Sequence, residues 1–72
     1  MSDFKIRLVQ EKYELDKKIE RLDLFIKSEN FNKIDAIQMS LLEIQILTMK
    51  TYSKILNERI VYLNARNEAI KK

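Results

Sequence analysis

Neither glycine nor proline occurs anywhere in the 72-residue chain. The two strongest breakers of regular structure are therefore missing. What remains is rich in good helix formers. The stretch from residue 3 to residue 27 is largely Glu, Lys, Leu, Arg and Gln. Within it Leu8, Lys12, Leu15, Ile19, Leu22 and Ile26 recur by fours and threes, a heptad seam with the single polar intruder Lys12. Glu14 with Lys18 and Asp23 with Lys27 stand four apart in the favourable order. Ser2 is a suitable N-cap, with Asp3 next to the positive helix end.

The break between helices falls in SENFNKID, residues 28–35. Ser28, Asn30, Asn32 and Asp35 carry short polar side chains that compete with the backbone and favour turns and caps. Asp35 followed by Gln38 forms a capping-box variant for a second helix, with Ile34 as the apolar staple ahead of it. Phe31 is expected to fold back over that end of a hairpin. The second helix is expected from about Ala36 to about Ala69.

That second helix carries two apolar stripes. Met39, Leu42, Ile46, Met49, Ser53, Leu56, Ile60 and Leu63 form one; Ile37, Leu41, Ile44, Thr48, Thr51 and Ile55 form another, on a different side. Between residues 36 and 49 the only charge is Glu43. A helix apolar nearly all round is buried by more than one partner, and helix 1 can cover only one stripe. Leaving about four large side chains bare would forfeit on the order of 6–12 kcal/mol, comparable with the whole stability of a small domain. The expected fold is therefore all-α: one domain over residues 1–72, an antiparallel helical hairpin assembling into a homo-oligomeric helical bundle.

Composition removes several functions. Cys and His are absent, so there is no disulfide framework, no thiolate or imidazole metal site and no usual general base. Without Gly, no phosphate loop or nucleophile elbow is possible. Serines lack a base to activate them, and the carboxylate pair Asp16 and Glu20 reads as solvated on a mixed-charge face. No enzyme, no cofactor and no metal are expected. No apolar run reaches 18 residues and the opening MSDFKIRLVQEKYE lacks a signal peptide's apolar block, so neither a membrane partner nor export is expected and the cytoplasm is the expected location. The net charge is only +3 with signs mixed: residues 1–33 hold eight basic and seven acidic groups, residues 34–72 six and four. No DNA- or RNA-binding stripe emerges, although a small anion needs only two or three placed cations.

Individual residues keep two readings. Lys12 either snorkels along its seam or faces a ligand at a subunit boundary. Arg7, Lys18, Arg21 and Lys27 are solvated helix charges, Arg7 with Asp3 and Glu11 at helical spacing, or ligand cations. Arg59, one step off the main stripe, either closes the hairpin as a salt bridge to helix 1 or forks onto a phosphate. Gln45 and Tyr52 are buried polar spacers or donors to a ligand. Of the aromatics Phe4, Tyr13, Phe25 and Tyr62, Phe4 is the one best placed to cover a nucleobase, near Lys5 and Arg7.

Three segments taken in order, RLVQEKYELDKKIERLDLFIKS, then Phe31, then LLEIQILTMKTYSKILNERI, resemble the small bacteriophage anti-CBASS and anti-Thoeris hairpin proteins over about residues 6–60. The shared pattern is L-D-x-K-I-x-x-L-x-x-F-I, a short linker with a Phe, and L-L-x-x-Q-x-x-x-M-x-x-Y-x-x-I-L-x-x-R-I. The resemblance implies a sponge that is not an enzyme: a compact oligomer, hexameric in known cases, that sequesters cyclic oligonucleotide immune signals in the infected bacterial cytoplasm. It implies cyclic dinucleotide or trinucleotide ligands held between subunits by an aromatic near the N-terminus, a lysine of the first helix and an arginine of the second. Lys18 and Arg59 match the K of L-D-x-K-I and the R of I-L-x-x-R-I. Phe4 or Tyr13 supplies the aromatic, and Lys27 competes with Lys18. The expected binding set is Phe4, Arg7, Tyr13, Lys18, Lys27 and Arg59. The alternative is a helical adaptor whose second stripe is completed by a different protein.

Overall fold

The computed structural model describes the backbone of residues 2–71 and the side chains of residues 3–66. Three elements follow in order. Helix α1 spans Ser2–Ile26, a 3-10 turn spans Glu29–Lys33, and helix α2 spans Ala36–Lys71. No strand occurs among the described residues. The two long helices run antiparallel in a hairpin 56 Å long and 15 Å across.

Helix α1 begins one residue earlier than a Ser2 cap allows: Ser2 is already its first helical residue, and its side chain lies outside the described residues. The helix ends where the Ser28 hydroxyl and backbone N–H both donate to the Phe25 carbonyl, at 2.6 and 3.0 Å. Those two bonds satisfy an otherwise orphaned C-terminal carbonyl without a left-handed residue. This explains how the chain turns with no glycine, and no described residue has a positive φ. The linker then winds into the 3-10 turn, an ordered element where the sequence alone suggests an irregular break. The turn drops Phe31 onto Phe25 edge-to-face, ring centroids 6.1 Å apart. Phe31 is buried and closes the turn end of the hairpin. Asp35 then caps α2, its Oδ1 accepting from the Gln38 N–H at 2.8 Å, and Ile34 ahead of it is half-buried.

Packing follows the first seam. Leu8 from α1 and Ile46, Ser53 and Leu56 from α2 are buried, and Leu56 is fully so. Leu15, Ile19, Leu22, Met39, Leu42, Met49, Ile60 and Leu63 are half-buried beside them. Ile46 and Ile55 are nine residues apart, about two and a half turns, so the second stripe lies on the opposite side of α2. There Ile37 is 72% exposed, Ile44 60% and Ile55 51%. Thr48 and Thr51 on this rear seam donate to the Ile44 and Leu47 carbonyls at 2.9 and 3.1 Å.

The two polar residues in the covered seam are joined. Asp16 accepts from Lys12 Nζ at 2.6 Å and, through its other oxygen, from the Ser53 hydroxyl. Asp16 keeps 43% of its side-chain surface exposed, as a solvated carboxylate would, but it also links α1 to α2 and holds the intruders Lys12 and Ser53 together. The two donated hydrogen bonds, first Lys12 and then Ser53, lower its pKa below the usual carboxylate value. Closer to the N-terminus of α1, the Tyr52 hydroxyl donates to Glu11 across the helices.

Candidate functional site

At the open end of the hairpin, α1 contributes Phe4 and Leu8, and α2 contributes Ile55, Glu58, Arg59, Tyr62 and Leu63, to an open groove of about 390 Å³. The antiparallel pairing makes this juxtaposition: the start of α1 lies against the later part of α2. The Arg59 guanidinium carbon stands 5.8 Å from the centre of the Phe4 ring. Arg59 therefore forms neither the salt bridge nor a contact with any carboxylate among the described ion pairs; it lies over an aromatic face. Phe4 is 54% exposed and Tyr62 65%. The groove offers two flat rings, aliphatic walls and a cation, with one carboxylate, Glu58, at its lining.

A second surface lies elsewhere. Lys5, Ile6, Val9, Gln10 and Tyr13 line a shallow depression of about 560 Å³ on the outer face of α1. Lys17 Nζ lies 5.4 Å from the centre of the Tyr13 ring. Phe4 and Tyr13 are nine residues apart, so they point to opposite sides of α1. They belong to two surfaces within one chain.

A family model described as Sequestin matches residues 2–62, most of the chain. The chain belongs to the sequestin family. Neither a curated protein nor a solved structure matches it. The match covers α1, the linker and α2 as far as Tyr62, so every groove residue except Leu63 lies inside it.

Within this sequestin chain the sequence-selected residues are dispersed. Phe4 and Arg59 come together. Arg7 is exposed one turn from Phe4 and outside the groove lining, and it forms no ion pair with Asp3 or Glu11 among the described residues. Lys18 is exposed and unpaired with Glu14, which instead accepts from Gln10 Nε2 at 3.3 Å. The same turn of α1 places Lys17, not Lys18, over Tyr13. Lys27 pairs with Asp23 at 2.9 Å near the turn end and keeps that carboxyl below its ordinary value. Lys27 is 23 positions from Phe4, about 34 Å along α1, so one chain cannot bring both to one small ligand. Gln45 and Tyr52 are exposed, not buried spacers; Gln45 reaches only the Met49 sulfur at 4.0 Å. Of the aromatics, Phe25 and Phe31 pack, whereas Phe4, Tyr13 and Tyr62 stay exposed in the single chain.

Glu58, Tyr62 and Lys17 complete these surfaces, and none of them belongs to the binding set expected from sequence. Lys17 has a readable signal in its spacing of four after Tyr13. Glu58 has none, because one carboxylate among mixed charges does not stand out. Among the described residues there is no cluster of metal-ligating side chains. No helix of the described residues is long and apolar enough to cross a membrane.

Proposed function

We propose that the protein sequesters cyclic oligonucleotides, cyclic dinucleotides first and cyclic trinucleotides second, as a homo-oligomer and without catalysis. The single observation carrying this reading is the Phe4 and Arg59 pair in the open groove, within a chain whose family name denotes sequestration. A cyclic dinucleotide is a flat-faced dianion. A ring with a guanidinium beside it complements one base and one phosphate, and charge-assisted bonds from Arg to phosphate are strong once partly desolvated. Stacking adds about 1–3 kcal/mol per base. A symmetric assembly presents the pair twice, which matches the near two-fold ligand. Two stacked bases and two paired phosphates reach nanomolar binding, about −12 kcal/mol, when the pocket is preorganised.

The oligomer is supported by the bare rear seam. Ile37, Leu41, Ile44 and Ile55 are each between 51% and 72% exposed in the hairpin. Burying the exposed half of each, on two copies, yields on the order of 10 kcal/mol. That is similar to the association cost of roughly 4–15 kcal/mol. Pairing through this seam alone is therefore concentration-dependent, and the α1 face of Ile6, Val9 and Tyr13 supplies further apolar area for a larger assembly, with six copies as the expected number.

Titration calorimetry with cyclic di-AMP, cyclic di-GMP, cyclic GMP–AMP and a cyclic triadenylate tests the reading. Tight binding of at least one ligand is expected, and Arg59→Ala or Phe4→Ala should weaken it tenfold or more at unchanged oligomer size. No heat with any of the four would retire the proposal.

A further inference from the structure

Two contacts join the open half of the hairpin along one edge. Arg59 of α2 lies over the Phe4 ring of α1, and the Tyr52 hydroxyl of α2 donates to the Glu11 carboxylate of α1. Tyr52 is seven residues before Arg59, and Glu11 is seven after Phe4. In antiparallel helices the second contact therefore lies two turns, about 10 Å, from the first. Arg7 belongs to the same edge. Phe4, Arg7 and Glu11 are spaced by three and four and share one face of α1. Arg7 is exposed and stands about 4.5 Å along the axis from Phe4. It is also four residues before Glu11, a spacing at which a helix brings opposite charges together. Yet neither Arg7 nor Arg59 closes an ion pair among the described residues. The Glu11 carboxylate instead reaches across to α2, where the Tyr52 hydroxyl holds it.

We infer that Tyr52 is a positioning residue of the ligand site: by holding Glu11 it keeps that carboxylate off Arg7, and Arg7 is left as a second guanidinium beside the Phe4–Arg59 pair. An anion at the Phe4 ring then meets cations from both helices. Without the hydroxyl, Glu11 is free to pair with Arg7 and competes with a ligand phosphate for the same guanidinium. The hydroxyl acts on one carboxylate only. Asp3, four before Arg7, and Glu58, at the groove lining, also flank the site, and Tyr52 bonds to neither. Tyr52 is 44% exposed, so removing its oxygen takes away the bond to Glu11 and leaves no polar group stranded in the covered seam.

This inference rests on the ligand site of the proposed function, and two measurements separate them. The first is a double-mutant cycle of Tyr52→Phe and Glu11→Gln, titrated by calorimetry with each of the four cyclic oligonucleotides named above. Tyr52→Phe should weaken binding about two- to threefold at low salt, the worth of an exposed helical ion pair. Glu11→Gln should restore binding in the Tyr52→Phe background and change it far less in the wild-type background. The loss should shrink at high salt, which screens the competing pair. Asp3→Asn is the control: its effect should be the same with and without the Tyr52 hydroxyl. The second measurement needs no ligand. Exchange of the Arg7 Nε proton with water, read by nuclear magnetic resonance, should slow in Tyr52→Phe and return to the wild-type rate in the double variant. Far-UV circular dichroism checks that each variant keeps its helices. Unchanged binding in Tyr52→Phe, or a loss that Glu11→Gln does not restore, overturns the inference; the latter is what a purely structural tyrosine gives. An Arg7 exchange rate that ignores Tyr52 overturns it as well. No heat from the wild-type protein with any of the four overturns sequestration, and the exchange series then decides the hold of Tyr52 on Glu11 by itself.

Discussion

Asp16 holds two donors from two helices, and this is where single residues decide most. Replacing it by Ala leaves the buried Ser53 hydroxyl without its partner, at a cost of about 1–3 kcal/mol, measurable by chemical denaturation at neutral pH. The pH dependence has a definite sign. The folded-state pKa of Asp16 is lowered below 3.8 by Lys12 and then Ser53, so its contribution is complete above that value and disappears as pH falls through the lower, folded-state one. Wild type should lose more stability between pH 5 and pH 2 than Asp16→Asn does, and equal slopes in the two denaturation series would contradict this account. Leu56, with no exposed surface, is the other sensitive position: Leu56→Ala should cost about 2–5 kcal/mol. In a hairpin with so few fully covered side chains, that is enough to melt much of it at room temperature, as circular dichroism would record. Arg59 differs from both, since it lies over a ring and forms no ion pair among the described residues; its loss should register in ligand binding and hardly in stability.

At the scale of elements, the linker does by side-chain bonds what other hairpins do with glycine. Ser28 closes α1, Phe31 covers the turn and Asp35 opens α2. Removing the cap with Asp35→Ala should cost about 0.5–2 kcal/mol and raise amide hydrogen exchange at Gln38 and its neighbours, with little change near Leu56. The placement of caps is readable from Ser28, Asp35 and Gln38, because cap chemistry is local. The 3-10 turn is not, since Glu-Asn-Phe-Asn-Lys has no strong preference by itself and is wound by Phe31 reaching Phe25. The same distinction separates Lys18 from Lys17. Motif matching selects the former, while the helical step from Tyr13 puts the latter over the ring.

For the whole molecule the governing fact is asymmetry of coverage. Helix α2 has two heptad seams and α1 covers one of them. The rear seam is left with Ile37, Leu41, Ile44 and Ile55 exposed by half or more, so the hairpin is one part of a larger structure under the assembly proposed above. A charge placed there should act on assembly and leave the hairpin intact. Ile44→Asp is expected to reduce the particle to a single chain in light scattering, keep its helical circular dichroism, and abolish any dependence of Tm on protein concentration. Retention of the full particle size would show that the copies meet elsewhere. The covered seam is also the one that offers Ser53 to Asp16.

The amino-acid order alone determined two helices, the break between them, the heptad seams and the absence of catalytic or metal chemistry based on His or Cys, because periodicity, cap residues and missing residue types are properties of neighbours along the chain. The pairing of Phe4 with Arg59, the Lys12–Asp16–Ser53 link and the exposure of Tyr13 and Tyr62 were decided only in three dimensions. Each depends on the register at which one helix lies against the other. That register is set by side chains tens of residues apart meeting across the seam, and no short-range pattern encodes it.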